Sequence, residues 1–190
     1  MIRGFRQLVT IPILCATAMA AAAQQPDRLV FATDWLAQAE HGGFYQAVAE
    51  GTYAKHGLEV TIRMGGPQVN GLQLDVVMGD ALQVLSAVEQ GVPVTAIAAT
   101  FQKNPTVIIA HPGVTRLEEL KAKPIAVGAA ANTTFWPWLK QRYGFTDDQK
   151  RPYAFSVQPF LVDRSLSQQG FATSEPFSIE KGGVKAVVFL

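Results

Sequence analysis

Residues 29–64 read LVFATDWLAQAEHGGFYQAVAEGTYAKHGLEVTIRM, and this stretch decides the fold class. Leu29 to Thr33 is a short apolar run that reads as a strand, and a helix from about Gly43 to Lys55 follows it. Phe44, Ala47, Val48 and Ala54 give that helix an apolar side, and Gly57 stands where it should stop. Leu58, Val60, Ile62 and Met64 then alternate with polar or charged neighbours, the period of a half-buried strand.

Outward from there the rhythm repeats. Gly65, Gly66 and Pro67 break the chain before Asp75-Val76-Val77-Met78. A helix from Ala81 to Gln90 groups Leu82, Leu85 and Val88, ends at Gly91, and is followed by an apolar strand over Val92 to Ala99. Strand and helix in alternation imply an α/β fold with a mostly parallel sheet covered on both faces. Phe101 to Pro105 is a polar interruption, and a boundary between two lobes is placed there, residues 24–104 and 105–190. In the second lobe Val107 to Ala110 and Ile125 to Val127 read as strands, and Thr115 with Glu118 has the spacing of a capping box. A small-residue loop, Gly128 to Thr134, runs into a helix over Phe135 to Tyr143 closed by Gly144. Tyr153 to Val157, Phe171 to Thr173 and Ala186 to Leu190 complete the expected strands.

The chain opens with Arg3, Arg6 and an uncharged apolar run, Leu8 to Ala23, ending in four alanines. This is the pattern of a secretory signal peptide over residues 1–23, shorter than the ~20 apolar residues of a membrane-spanning helix. Its removal takes away Cys15, the single cysteine, which excludes a disulfide, a thiol nucleophile and a Cys-rich metal site from the mature chain. It also leaves 14 basic residues against 15 acidic ones. With no basic face or charge run, nucleic acid is not an expected partner.

Three segments carry candidate chemistry. In open α/β sheets ligands bind beyond the carboxyl ends of strands. Trp35 follows such an end, and it offers a flat wall for a ring. Gly42 and Gly43, beside His41, permit close approach to the backbone. Equally, Trp35 and Tyr45 read as core aromatics and His41 as a helix cap. In Gly128 to Thr134, small residues leading into a helix expose N–H groups, and Asn132 and Thr133 add side-chain polar groups for an anion or acceptor; ordinary capping is the alternative. Trp136 and Trp138 are two apart, so at most one faces a cleft. Glu175, in Ser174-Glu175-Pro176, is a rim carboxylate able to accept two hydrogen bonds from an amino-substituted ring, or a solvated loop acid. Asp80 reads as a cap for the helix from Ala81. His41, His56 and His111 have no metal-ligand spacing, and no Gly-x-Ser-x-Gly elbow or phosphate loop is present, so neither an enzyme, a metal site nor a bound cofactor is expected.

Taken together, several pieces are similar to the nitrate, sulfonate and thiamine-pyrimidine family of periplasmic solute-binding proteins: Asp34-Trp35, His41 to Ala47, Glu50-Gly51, Lys55 to Val60, Asp75 to Gly79, Gln90 to Val94, Leu117 to Lys121 and Ser174-Glu175-Pro176. The resemblance implies a two-lobed α/β clamp of the periplasmic binding protein type, monomeric, that closes on a small solute and delivers it to an ABC permease. By position it puts Trp35, His41, Asn132, Thr133, Trp136 and Glu175 in the cleft. Aromatic walls with a carboxylate point to a thiamine-type pyrimidine, and the lack of arginine in these motifs weakens a sulfonate or nitrate reading. The same fold resembles intracellular pyridoxal-dependent pyrimidine synthases, from which the export signal separates this chain. A sensor domain would need a membrane span the sequence does not show. Two departures remain: no turn residue separates the segment after Pro67 from the strand at Asp75, and the chain stops within an apolar strand. Both lead to the expectation of an incomplete chain, and a remnant without function is one reading of it.

Overall fold

The computed structural model describes residues 25–66, 74–153 and 155–189. The expected leader at residues 1–23, most of the junction after Pro67, and Leu190 lie outside the described residues.

β1 (Asp27–Ala32), β2 (Leu58–Arg63) and β3 (Val76–Val77) form a parallel sheet in the order β2-β1-β3. β1 and β2 are joined by α1 (Gly42–Ala49) and α2 (Thr52–Lys55). The single helix expected over Gly43 to Lys55 is therefore two, because Gly51 at φ 68 turns the backbone left-handed between them. That conformation is open to glycine at little cost. Asp75 caps the short β3 edge by accepting the β1 amide of Val30 on Oδ2 at 2.8 Å. α3 (Ala81–Glu89) starts as expected at Asp80, whose Oδ1 accepts from the Leu82 amide at 2.7 Å.

The second sheet has the order β6-β5-β7-β4-β8, with β4 (Thr106–Ala110), β5 (Ile125–Val127), β6 (Lys150–Pro152), β7 (Ser167–Phe171) and β8 (Val187–Phe189). β5 runs parallel to β6 and β7, whereas β4 is antiparallel to both β7 and β8. The expectation of a mostly parallel arrangement thus holds for the first sheet, and the second is mixed. Period-two patterning marks a strand but carries no record of its direction.

Burial follows the β4 alternation. Ile108 and Ala110 join Ile125, Val127, Trp136 and Leu139 on one face. Val107 and Ile109 join Phe160 and Ile179 on the other. The covering helices are α4 (Trp136–Tyr143), α5 (Gln158–Val162) and α6 (Glu175–Lys181). The first sheet is thinner in buried side chains: Phe31 packs edge-on against Phe44 at 4.7 Å, while Leu82, Leu85 and Val88 of α3 are exposed.

Other expectations are corrected. Val92 to Ala99 forms no strand, and the described residues of the expected strand Tyr153 to Val157 are not in one either; β6 ends at Pro152. The Thr115–Glu118 box does not form. Arg116 occupies the N-cap of a 3-10 turn over Leu117–Leu120, and the Thr115 hydroxyl donates to Glu119 Oε1 at 2.7 Å. That hydroxyl bond also holds the half-buried Glu119 carboxyl below its ordinary range.

Candidate functional site

The exit of β1 is held by a compact hydrogen-bonded turn. Thr33 Oγ1 donates to the Trp35 carbonyl at 2.8 Å and accepts from the Gly65 amide at 3.0 Å. A Cβ at Gly65 would stand 2.2 Å from the Thr33 carbonyl oxygen and 2.6 Å from the Trp35 nitrogen, so only glycine fits. The turn aims the Trp35 ring away from its own sheet and onto the second one. It stacks on Tyr153 (centroids 5.7 Å, planes 14° apart) and on Phe171 (6.3 Å, 29°), and leans on Phe155 at 4.1 Å. Phe155 adopts φ 55, a conformation that costs an L-residue roughly 1–2 kcal/mol.

Behind this aromatic junction lies Glu175, the first residue of α6, 4% exposed. Oε1 accepts from the Tyr153 hydroxyl at 3.2 Å; Oε2 accepts from the Phe171 amide at 2.7 Å and the Ser174 hydroxyl at 2.6 Å. Glu175 is therefore no solvated loop acid. It ties β7, α6 and Tyr153 together. Burial, and then the Glu175 charge, push the Tyr153 phenol well above its ordinary value. Gly170 makes this packing possible, since a Cβ there would lie 2.9 Å from that of Glu175 and 2.7 Å from Ile109 Cδ1.

The β1–α1 loop holds a second polar group. His41 is fully buried: Nδ1 accepts from the Gln38 amide at 3.3 Å, so in the neutral ring Nε2 carries the proton and faces Asp34 Oδ1 at 3.1 Å. Next to it in sequence, both carboxylate oxygens of Glu40 are buried without a donor among the described residues, while the Gln38 side chain closes a capping box with the His41 backbone. The two Glu40 oxygens are thus buried acceptors in want of donors.

Asn132 and Thr133 belong to a 3-10 turn over Ala129–Thr133. Their side chains donate to the carbonyls of Ala129 and Ala130, at 3.0 and 3.2 Å, and neither caps α4, whose N-cap is Phe135. Trp136 is buried and Trp138 exposed, as their spacing requires. The Trp136 indole donates to Asp147 Oδ1 at 3.0 Å, and Asp147 also pairs with Lys140 at 2.6 Å and Lys150 at 2.9 Å. Those lysines, Lys140 first, and then the indole hold the Asp147 carboxyl far below the usual carboxylate range. Lys150 completes the ring of contacts by donating to Asn132 Oδ1 at 2.7 Å.

Residues 38–151 match the family model described as NMT1/THI5 like, more than half of the chain. The chain belongs to the NMT1/THI5-like family. Riboflavin-binding protein RibY of Chloroflexus aurantiacus is 24% identical over 200 residues, covering 95% of this chain and 56% of that protein. A solved structure from Bordetella bronchiseptica RB50 superposes with a TM-score of 0.66 at 17% identity, over 86% of this chain and 56% of that one, and shows the same fold. The L-cystine solute receptor of Neisseria gonorrhoeae, in its unliganded open conformation, aligns at a TM-score of 0.39 and 18% identity, covering 85% and 73% of the two chains. The chain spans about half the length of the curated relative it matches.

Within this NMT1/THI5-like chain the six residues singled out in the sequence fall into two pairs and two that stand apart. Trp35 and Glu175 meet through Tyr153. Asn132 and Trp136 line an open cavity of about 590 Å³ with Lys140, Asp147 and Lys150. His41 faces Asp34, and Thr133 is exposed on its turn. Sequence reasoning missed Tyr153, Phe155 and Phe171 as site residues, which complete the aromatic junction, whereas Glu40 lies in the candidate segment that runs from Glu40 to Tyr45. The aromatic pair Tyr153 and Phe155, two residues apart in the chain, was the available signal. No group of three or more metal-ligating side chains occurs among the described residues.

Proposed function

We propose that this chain is the solute-binding component of an ABC uptake system, taking a small amino-substituted heteroaromatic solute between its two lobes. The lobe boundary at residues 104/105, export to the periplasm and delivery to a membrane permease are parts of that reading, as is action without catalysis. One observation carries it: the β1–α1 loop buries both carboxylate oxygens of Glu40 without a donor among the described residues, in the same turn-bounded segment as Trp35. A ring with exocyclic amino or imino N–H groups supplies those donors, and an aromatic wall receives its face. A thiamine-type pyrimidine has this chemistry. The name of RibY, which binds riboflavin, adds a second heteroaromatic candidate. Membership of the family supports the class of function, and the aromatic junction supports the class of solute.

Thermal melts of the purified chain with an aminopyrimidine, riboflavin, a sulfonate and nitrate test the reading, because a ligand bound only by the native state raises its melting temperature. A rise with one heteroaromatic ligand is expected. A rise with nitrate or the sulfonate alone would reassign the site to anions, and no rise with any of them would remove the proposal. Glu40→Ala sharpens the test. Removing an unpartnered buried carboxylate is expected to leave the free protein as stable or more stable, by up to about 2 kcal/mol, while abolishing the ligand-induced rise.

A further inference from the structure

β2 lies at the edge of the first sheet: β1 flanks it on one side and no strand of the described residues flanks it on the other. The carbonyls of Gly57 and Arg63 accept from the amides of Asp27 and Thr33, at 2.9 and 3.0 Å. In a ladder every second residue turns its amide and carbonyl to the same side, so Glu59, Thr61 and Arg63 spend theirs on β1. Leu58, Val60, Ile62 and Met64 therefore direct theirs outward, as a template for one more strand. The side chains alternate as well. Glu59, Thr61 and Arg63 are exposed on one face, while Leu58, Val60 and Ile62 are half-buried on the other. Glu59 Oε2 accepts from Arg28 Nε at 3.1 Å, which leaves Oε1 open to a second cation. Arg63 pairs with no carboxylate among the described residues.

We propose that two copies of this chain pair antiparallel through β2, with the two-fold axis on Thr61, so that one sheet runs through both. The sequence of β2 is its own complement in that register. Glu59 stands opposite the partner's Arg63 at both ends of the pairing, and Thr61 stands opposite the partner's Thr61. On the other face Val60 meets the partner's Ile62, and Leu58 meets the partner's Met64, which covers the half-buried apolar row. The backbone agrees, because Val60 and Ile62 are outward-facing and can exchange both hydrogen bonds of a closely bonded pair. Other registers lose the charge match. An axis on Glu59 or Arg63 sets like charges face to face, and an axis on Val60 or Ile62 sets both charges against Thr61 or a glycine. The family resemblance implies a monomer, and the edge of β2 points instead to an isologous pair. A single strand pair is a small interface, so the dimer is of moderate affinity. It goes beyond the solute-binding reading, since it draws on neither Trp35 nor the β1–α1 loop.

Sedimentation velocity of the full chain over a concentration series tests the proposal. A monomer–dimer equilibrium is expected, and raising the salt should weaken it by screening the exposed charge pairs. Arg63→Glu puts like charges opposite each other at both ends and is expected to weaken the dimer by roughly tenfold or more. A cross-link reads the register directly. Opposed residues of a pair without backbone bonds have Cα atoms about 4.5 Å apart, within disulfide range. In a Cys15→Ser background, which removes the chain's own thiol, Thr61→Cys is expected to give a covalent dimer on mild oxidation. Glu59→Cys, which the register sets opposite Arg63, is expected to give none. A monomer at every concentration, an unchanged dimer in Arg63→Glu, or a cross-link through Glu59→Cys in place of Thr61→Cys overturns the proposal. Should Arg63→Glu fail to fold, the cross-linking pair decides alone. Glu40→Ala should leave the dimer intact, which separates failure here from failure of the solute-binding reading.

Discussion

Two residues show how little tolerance the junction has. At Gly65 an added methyl meets backbone atoms of Thr33, Asp34 and Trp35, none of which is a side chain able to swing away. Gly65→Ala is therefore expected to cost about 3 kcal/mol, at the upper end for overpacking, and to red-shift Trp35 emission as the ring leaves Tyr153; denaturant titration followed by fluorescence checks both. The Tyr153 phenol has a raised pKa in the folded state through burial and the Glu175 charge. Above its ordinary value of 10.0 the unfolded chain loses this proton and the folded chain resists losing it. Stability contributed by the protonated phenol is thus full below pH 10 and falls as the pH rises further. Denaturation midpoints at pH 9 and pH 11 should differ less in Tyr153→Phe than in the parent protein; an equal drop in both would contradict the linkage. The strand-end position of Glu175 reads in the sequence as a rim carboxylate or a solvated loop acid; its three donors were not legible, because they come from an amide and hydroxyls that converge only when β7, α6 and the end of β6 pack together.

At the scale of elements, strand and helix identities were legible wherever an apolar period had a glycine to punctuate it. α3, with Asp80 before it and Gly91 after it, matches its expectation to within a residue. The α1–α2 break was missed because Gly51 lies inside a continuous apolar side and period alone does not register a left-handed residue. Gly51→Ala tests that reading: no contact opposes the new methyl, so the cost is conformational only, about 1 kcal/mol, measurable as a lowered denaturant midpoint with unchanged slope. Val92 to Ala99 is apolar enough for a strand, yet none of the described residues offers it a ladder, and a strand exists only as one of a pair. The reversed direction of β4 has the same origin, since the partner sets the direction.

Across the whole molecule the two sheets differ in how much they bury. The second is covered on both faces, whereas the first holds few buried side chains and leaves Leu85 of α3 65% exposed. Native-state hydrogen exchange is expected to reflect this, with β1 and β2 amides exchanging well before those of β4, β5 and β7; uniform protection across both sheets would argue against it. Trp35 joins the sheets, so the residue most exposed to any change in their separation is also the one offered as a ligand wall. The amino-acid sequence by itself determined the α/β class, the order of most strands and helices, the caps at Asp80 and the stops at Gly57 and Gly144, because each of these depends on neighbours within a few positions along the chain. Only the tertiary structure decided strand direction, the meeting of Trp35 with Tyr153, Phe155 and Phe171, the three donors on Glu175, and the burial of the Glu40 carboxylate without partners among the described residues. Those depend on contacts between residues up to about a hundred or more positions apart, and local propensity carries no record of such distances.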